Sequence, residues 1–221
     1  MALASSLQIS TRSKAGGSSP VAVSRRMAIA LKNLAPSASD MVSVVAMDVA
    51  NNDTVRKAAL SLEDVVIDIL INSAGIAGVP EQSTGQIDYA SWTRVLDVNT
   101  MGPLRVLEAF TDNLAQSGRR LVVTITSGMG SLADNTSGGS IAYRSSKAAV
   151  NMVMRSAAID LAPRGITCVL INPGWVKTDM GGPHATLSPQ QSVSAMRRLI
   201  ERLGPHDSGK FYNYDGCEYP W

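Results

Sequence analysis

The sequence predicts an α/β fold: one domain built on a doubly wound parallel sheet with helices on both faces. Short β-branched apolar runs alternate along the chain with longer segments of helical periodicity. The length of 221 residues suits a single domain with a sizeable core. Hydrophobic residues make up 45% of the chain and charged residues 17%, which excludes disorder throughout. Strands separated by helices form right-handed βαβ units, and such units build a parallel sheet.

The predicted elements alternate from residue 41 to the end of the chain. Buried strands are expected at 41–47, 68–72, 121–126 and 166–171, with a short edge strand at 211–214. Helices are expected at 53–62, 89–96, 103–115, 142–161 and 189–203. Active sites in such folds gather beyond the carboxyl ends of the strands, so residues that follow the strands are the candidates for function.

Charge and cysteine content exclude several classes of partner. The net charge is +2 (20 − 18), which gives no reason to expect nucleic acid or an anionic membrane surface. No apolar stretch approaches the roughly 18–20 residues of a membrane span. The two cysteines, Cys168 and Cys217, provide neither a disulfide framework nor a zinc-type cluster, and we assign no metal site. We therefore expect a soluble protein of a reducing compartment, the cytoplasm.

The beginning of the chain has a different composition. It is basic and rich in serine, and its first acidic residue is Asp40. This composition is typical of an organelle transit peptide, so a plastid or another organelle is the alternative location. A disordered leader without an address is the other interpretation. We place the leader at residues 1–20 and the domain at residues 21–221.

One pair of side chains suggests acid–base chemistry. Tyr143 and Lys147 are spaced i, i+4, which places both on one face of the helix predicted at 142–161. A free tyrosine has a pKa near 10 and is a poor acid–base catalyst at neutral pH. A cation held beside it favours the phenolate and lowers that pKa. The pair is therefore a workable proton donor to a carbonyl oxygen, although the same spacing also occurs on ordinary exposed helices.

The position of other polar residues strengthens this interpretation. Ser127 follows the strand at 121–126, where its hydroxyl can bind the same substrate oxygen as Tyr143. Asn99 lies just before the helix that precedes that strand, and Asn72 ends the preceding strand. Ser127 and Asn72 lie at strand ends, where the fold gathers its site.

In this order the residues resemble the short-chain dehydrogenases/reductases. The matching pieces are DV at 48–49, NSAG at 72–75, LDVNT at 96–100, ITS at 125–127, YRSSK at 143–147 and INPGWVKTD at 171–179. Order and spacing agree from about residue 21 to the end. The stretch MGSLADNTSGGSIAYRSSK and the ending YDGCEYPW resemble the C-factor-like branch. The resemblance implies a Rossmann-like sheet, a nicotinamide cofactor and a homo-oligomer.

The resemblance also implies a role for each matching residue. Tyr143 protonates or deprotonates the substrate oxygen, Lys147 lowers its pKa and binds the nicotinamide ribose, and Ser127 orients the carbonyl. Asn99 holds a water that links Lys147 to solvent. The implied cofactor-binding residues are Arg25, Asp48, Val49, Asn72, Ala74, Gly75, Tyr143, Lys147, Pro173, Gly174, Val176 and Thr178. Two have a plain alternative, since Asp48 can cap a turn and Thr178 can be a loop hydroxyl.

The beginning of the chain departs from the family. The glycine-rich TGxxxGxG turn, which lets the backbone approach a pyrophosphate, is absent from the sequence. Residues 7–10 form a shortened first strand with a crossover at 11–20, or the first βα unit has been lost, or the start is mis-assigned. Arg25 and Arg26 follow a predicted strand at 21–24, and a cation there suits the 2′-phosphate of NADP rather than NAD.

The sequence thus predicts an NADP(H)-dependent oxidoreductase that interconverts a carbonyl and an alcohol on a small molecule. One alternative is a catalytically silent relative that has lost dinucleotide binding and acts through protein partners. Another is an isomerase or dehydratase that uses the same Tyr143 and Lys147.

Overall fold

The computed structural model describes residues 45–221 in full and the backbone of three strands before them, at 7–12, 18–23 and 43–44. The strands are β1 Leu7–Arg12, β2 Ser18–Val23, β3 Ser43–Val44, β4 Val66–Asn72, β5 Leu121–Ile125, β6 Thr167–Asn172 and β7 Phe211–Asn213. The described α-helices are α1 Asn52–Leu60, α2 Tyr89–Leu96, α3 Gly102–Ala115, α4 Ile141–Asp160 and α5 Pro189–Arg202. A π-helix, Asp97–Met101, joins α2 to α3.

Local sequence explains where three of the helices begin. The side chains of Asn51 and Asp88 each accept two backbone N–H groups in the first turn of α1 and α2. Before α5, Ser188 and Gln191 form a capping box, and Pro189 occupies the first helical position. Each of these helices therefore has partners for N–H groups that its own turns leave unbonded.

The seven described strands form one sheet in the order β3-β2-β1-β4-β5-β6-β7. β4, β5, β6 and β7 pair in parallel, and β2 pairs in parallel with β3. The predicted α/β class with a Rossmann-like sheet is confirmed. The predicted bounds of the later elements agree with the structure to within two residues at either end. The strand expected at 41–47 is shorter, because residues 45–47 lie outside β3.

The first strand excludes one of the three alternatives for the beginning of the chain. β1 runs antiparallel to both of its neighbours, β2 and β4, so a parallel crossover at residues 11–20 is wrong. Only five residues, 13–17, separate β1 from β2. A connection of this length suits two antiparallel strands, whereas a parallel return needs a dozen or more. β2 contains residue 20, at which we expected the leader to end. The boundary between leader and domain stays a prediction.

Helices cover both faces of the sheet. One apolar cluster joins α1, α3 and α4 to one face, and its largest buried side chain, Phe110, has no exposed surface. The second cluster packs α5 against the opposite face through Met196 and Leu199. Neighbouring residues of β5 enter different clusters, Val122 the first and Val123 the second, as the alternation of side chains along a strand requires.

The parallel strands bring their carboxyl ends to one edge of the sheet. Asn72 at the end of β4 pairs with Thr124, and Ile125 at the end of β5 pairs with Ile171 near the end of β6. The loops that follow these three strands therefore lie side by side. Within the residues that the structure describes, no helix combines the length and apolarity needed to cross a bilayer.

Candidate active site

A cleft of about 460 Å³ opens at this edge, between the loops that follow β4, β5 and β6. Ser127, Tyr143 and Lys147 all line it, although they come from two different elements. Ser127 lies two residues beyond β5, and the other two lie in the first two turns of α4. The structure thus brings together the three side chains that the sequence places first among the catalytic candidates.

Tyr143 and Ser127 line the same cleft, and their side chains interact. The hydrogen bond from the Ser127 side chain acts to lower the pKa of Tyr143, but burial of the phenol outweighs it and raises the pKa above its ordinary value. At neutral pH the phenol is therefore protonated. A protonated phenol beside a second hydroxyl is suited to donate a proton to a carbonyl oxygen placed between them.

Lys147 is buried, with 5% of its surface exposed. Its ammonium donates a hydrogen bond of 3.2 Å to the carbonyl of Ile125 and lies 5.7 Å from the centre of the Tyr143 ring. Burial in a low-dielectric surrounding disfavours the charged form, and it lowers the pKa of Lys147 from 10.5 to about 8.

The effect expected of Lys147 on the pKa of Tyr143 stays a prediction. The net pKa of the phenol is raised, and the influence that opposes this rise comes from Ser127. The physical reason is burial, which acts on both groups and which spacing along a helix does not reveal.

The loop that carries Ser127 approaches α4 very closely. A Cβ atom added to Gly130 would lie 2.8 Å from the backbone carbon of Lys147, so a side chain at that position forces the loop away from the helix. Ser127 itself accepts a hydrogen bond of 3.2 Å from the backbone N–H of Met129. Glycine at residue 130 therefore allows the short distance between Ser127 and the helix that carries Tyr143.

Asn99 is fully engaged with protein groups and only 1% exposed. Its amide nitrogen donates to the carbonyl of Ile76 and to the hydroxyl of Ser146, both at 2.9 Å. Its oxygen accepts from the N–H of Ile76 at 2.8 Å. Both amide hydrogens are thus used, and Asn99 joins the loop after β4 to the second turn of α4.

The loop after β6 forms the opposite wall of the cleft. Gly174 has a φ of +77°, and a Cβ there would lie 2.5 Å from Leu187, so this turn requires glycine. The Thr178 hydroxyl donates to the carbonyl of Val176 at 3.3 Å and accepts from the N–H of Gly181 at 3.0 Å. The Thr178 hydroxyl is thus bonded within its own loop, and its role toward a cofactor stays a prediction. Pro173, Gly174, Val176 and Thr178 all line the cleft.

Other predicted residues lie away from the cleft or at its margin. Asn72 is buried and donates to Pro103 at 3.3 Å, so it ties the end of β4 to α3. Asp48 accepts from the N–H of Ala50 at 2.9 Å and faces Arg94 at 3.8 Å, which fits the alternative of a turn cap.

Val49 contacts the start of α3, where a Cβ on Gly102 would lie 2.9 Å from its side chain. Gly75 lines the cleft, whereas Ala74 beside it does not. The prediction for Arg25 falls outside the described residues.

Sequence reasoning missed one residue of the site. Gln82 is 7% exposed and bonds to the backbone of Tyr143, across 61 residues of chain. A single glutamine in a polar loop carries no signal of such a contact. Trp175 and Met180, in the loop after β6, also line the cleft and remain 53% and 41% exposed.

Comparison with known proteins identifies relatives of this site. A family model described as short chain dehydrogenase matches residues 7–186. The protein C-signal of Myxococcus xanthus is 51% identical over 155 residues, which make up 70% of this chain and 93% of that protein.

Solved structures of carbonyl reductases are also similar to this chain. The carbonyl reductase Sniffer of D. melanogaster is similar with a TM-score of 0.84 and 31% identity, covering 91% of this chain and 86% of that one. An NADPH-bound carbonyl reductase from chicken fatty liver is similar with a TM-score of 0.78 and 31% identity, covering 90% of this chain and 84% of that one.

Proposed function

This chain belongs to the short-chain dehydrogenase family, as its motifs predict, and from that membership we propose that it is an NADP(H)-dependent oxidoreductase that interconverts a carbonyl and an alcohol. The observation that carries the proposal is the placement of Ser127, Tyr143 and Lys147 in one cleft, with the Lys147 ammonium 5.7 Å from the centre of the Tyr143 ring. Carbonyl reductases among the solved relatives support the same reaction class.

In this proposal Tyr143 gives the proton and Ser127 orients the oxygen that receives it. The raised pKa of Tyr143 keeps the phenol protonated before the reaction. As charge develops on the substrate oxygen, the two hydroxyls stabilise it in a site that largely excludes water. The Lys147 ammonium then stabilises the phenolate that remains, because an opposite charge nearby favours the ionised form.

The described residues fit the nicotinamide end of the cofactor. Gly75 and Gly174 both line the cleft, and the Lys147 ammonium lies 3.6 Å from where a Cβ on Gly75 would be, so Lys147 would hold the ribose next to the nicotinamide. Thr178 also lines the cleft, and its hydroxyl would hold the carboxamide if it released the Val176 carbonyl. The nicotinamide supplies, when bound, the hydride that reduces the carbonyl carbon. Donors for the pyrophosphate are not among the side chains that the structure describes.

We propose NADP(H) rather than NAD(H) because of where β2 ends. Val23 pairs with Leu7, and Leu7 pairs with Asn72, so β2 ends at the same edge of the sheet as β4. Arg25 and Arg26 come next in the sequence. A guanidinium group at that point of such a fold suits a 2′-phosphate. The NADPH-bound relative supports this choice.

The lining of the cleft favours an uncharged substrate with an apolar body. Met129, Trp175 and Met180 contribute large apolar groups to its wall. Among the described residues that line it, the charged ones are Lys147 and Asp179. Lys147 is committed to Tyr143 and the Ile125 carbonyl, and the carboxylate of Asp179 disfavours an anionic substrate.

Two further parts of the sequence-based interpretation remain proposals. The water expected at Asn99 would have to use the second lone pair of its side-chain oxygen, because the amide hydrogens are already donated. A homo-oligomer is supported by Met152, which is exposed on α4, whereas Val150 and Met154 on the same helix are buried in the core.

Titration with NADPH tests the proposed function. We expect saturable binding in the micromolar range, read from nucleotide fluorescence, and weaker binding of NADH in a parallel titration. The control is Gly118→Ala, since Gly118 lies in open space outside the cleft, and this variant should bind as the natural chain does. Failure of NADPH to saturate at millimolar concentration would favour the silent protein that acts through partners.

A further inference from the structure

The helix that carries Tyr143 lacks a cap of its own. Ser140 precedes α4 with a φ of +47°, and its side chain makes no capping hydrogen bond. A serine cap normally has extended backbone and bonds the second or third N–H of its helix. The first turn of α4, which includes Tyr143, therefore needs another partner for its unbonded N–H groups.

Gln82 supplies that partner from a distant part of the chain. Its backbone carbonyl accepts the N–H of Ile141, and its side-chain oxygen accepts the N–H of Tyr143, both at 3.0 Å. These are the first and third N–H groups of the helix. One residue of the loop after β4 thus caps two of the donors that α4 leaves open.

The other end of the same side chain is equally fixed. The amide nitrogen of Gln82 donates to the carbonyls of Ala77 at 2.8 Å and Val79 at 2.5 Å. The amide therefore uses both hydrogens and its oxygen within the protein, and burial keeps water from replacing them. Nothing in this arrangement requires Gln82 to touch a substrate.

The loop after β4 is consequently attached to α4 at two levels. Asn99 links Ile76 to Ser146 in the second turn, and Gln82 links Val79 to Tyr143 in the first. A shift of the first turn moves the Tyr143 hydroxyl relative to Ser127, which sits on a separate loop. Misplacement of a reacting group by about 1 Å can cost about 100-fold in rate.

We propose that Gln82 is a positioning residue for the proton donor: it caps α4 from outside the helix and thereby holds Tyr143 against Ser127. The inference rests on the proposed function for its kinetic consequence, whereas the cap itself does not depend on any activity.

Two substitutions that keep the size of the side chain distinguish the loss of capping hydrogen bonds from a loss of packing. Gln82→Met removes all three hydrogen bonds and keeps the bulk, and we expect kcat to fall by about 10- to 100-fold with little change in the KM for NADPH. Gln82→Glu keeps an acceptor for Tyr143, and its carboxyl regains one donor when protonated. Its kcat relative to the natural chain should rise as the pH falls, whereas the ratio for Gln82→Met should stay flat. Gln86→Met, an exposed position in the same loop, is the matched control.

Amide hydrogen exchange measures whether Gln82 caps the helix, and this measurement does not require catalytic activity. In Gln82→Met the N–H of Tyr143 should exchange at least about 10-fold faster, while that of Val150 in the middle of α4 should not change. Unchanged exchange at Tyr143 would overturn the cap. Faster exchange with an unchanged kcat would overturn the positioning role. If the natural chain reduces no carbonyl compound, the proposed function fails, and the exchange result still decides whether Gln82 caps the helix.

Discussion

Replacing Tyr143 with phenylalanine is expected to lower kcat for carbonyl reduction by about 10²- to 10⁴-fold, the usual contribution of a positioned acid. The substitution deletes one oxygen and keeps the ring, so the packing of α4 should survive. Ser127 keeps its hydroxyl but loses the neighbour with which it shares the substrate oxygen. Binding of NADPH should remain, because it rests on several other groups. Steady-state kinetics with saturating NADPH measures the loss.

Tyr89→Phe is the control for this experiment. Tyr89 is exposed on α2 and does not line the cleft, so its variant should keep full activity. Turnover near that of the natural chain in Tyr143→Phe would contradict the assignment of the proton donor. The same outcome would leave Ser127 and Lys147 without the group around which they are arranged.

Replacing Lys147 with methionine is expected to abolish most activity and, at the same time, to stabilise the fold by about 1 to 3 kcal/mol. The ammonium is buried, and it interacts with the Ile125 carbonyl and the Tyr143 ring. Methionine fills a similar volume without the cost of burying a charge. Urea unfolding and kinetics on the same preparation measure the two opposite effects.

The pH dependence of this stabilisation has a definite sign. Below pH 8 the folded and unfolded states both carry the proton, so the natural chain bears the full cost of burial. Between about 8 and 10.5 the folded state releases its proton first, and the stability of the natural chain rises with pH. The advantage of Lys147→Met should therefore shrink across that window. Reduction by the natural chain should decline above pH 8, as the ammonium is lost.

Lys57→Met is the matched control, because Lys57 is exposed on α1. We expect neither stabilisation nor loss of activity in that variant. If Lys147→Met is less stable than the natural chain at pH 7, the ammonium has a buried partner that outweighs its desolvation, and the account of Lys147 is wrong.

The elements from β4 onward could be predicted because the signals that begin and end them lie within a few residues of sequence. The helix at 89–96 begins where Asp88 caps it, and the helix at 189–203 begins at Pro189. Placement of Ser127 in the cleft also follows from a general rule, since it comes directly after a strand whose neighbours are parallel. These features depend on residues close together in the chain and on a topology with few alternatives.

Other features depend on contacts that no local pattern records. The antiparallel direction of β1 is decided by its pairing with β4, more than 50 residues away in the sequence. The bond from Gln82 to Tyr143 spans 61 residues. The raised pKa of Tyr143 follows from burial, which the whole fold creates. Sequence spacing placed Lys147 beside Tyr143 but did not indicate how deeply Lys147 would be buried.

Transfer of deuterium tests the central claim most directly. NADPH deuterated at both C4 positions is incubated with the protein and a panel of uncharged aldehydes, and the alcohols are analysed by mass spectrometry. The account predicts one deuterium on the carbinol carbon with the natural chain and a loss of labelled product, by about 10²- to 10⁴-fold, with Tyr143→Phe. Absence of labelled alcohol with the natural chain, or equal labelling with both proteins, would contradict it.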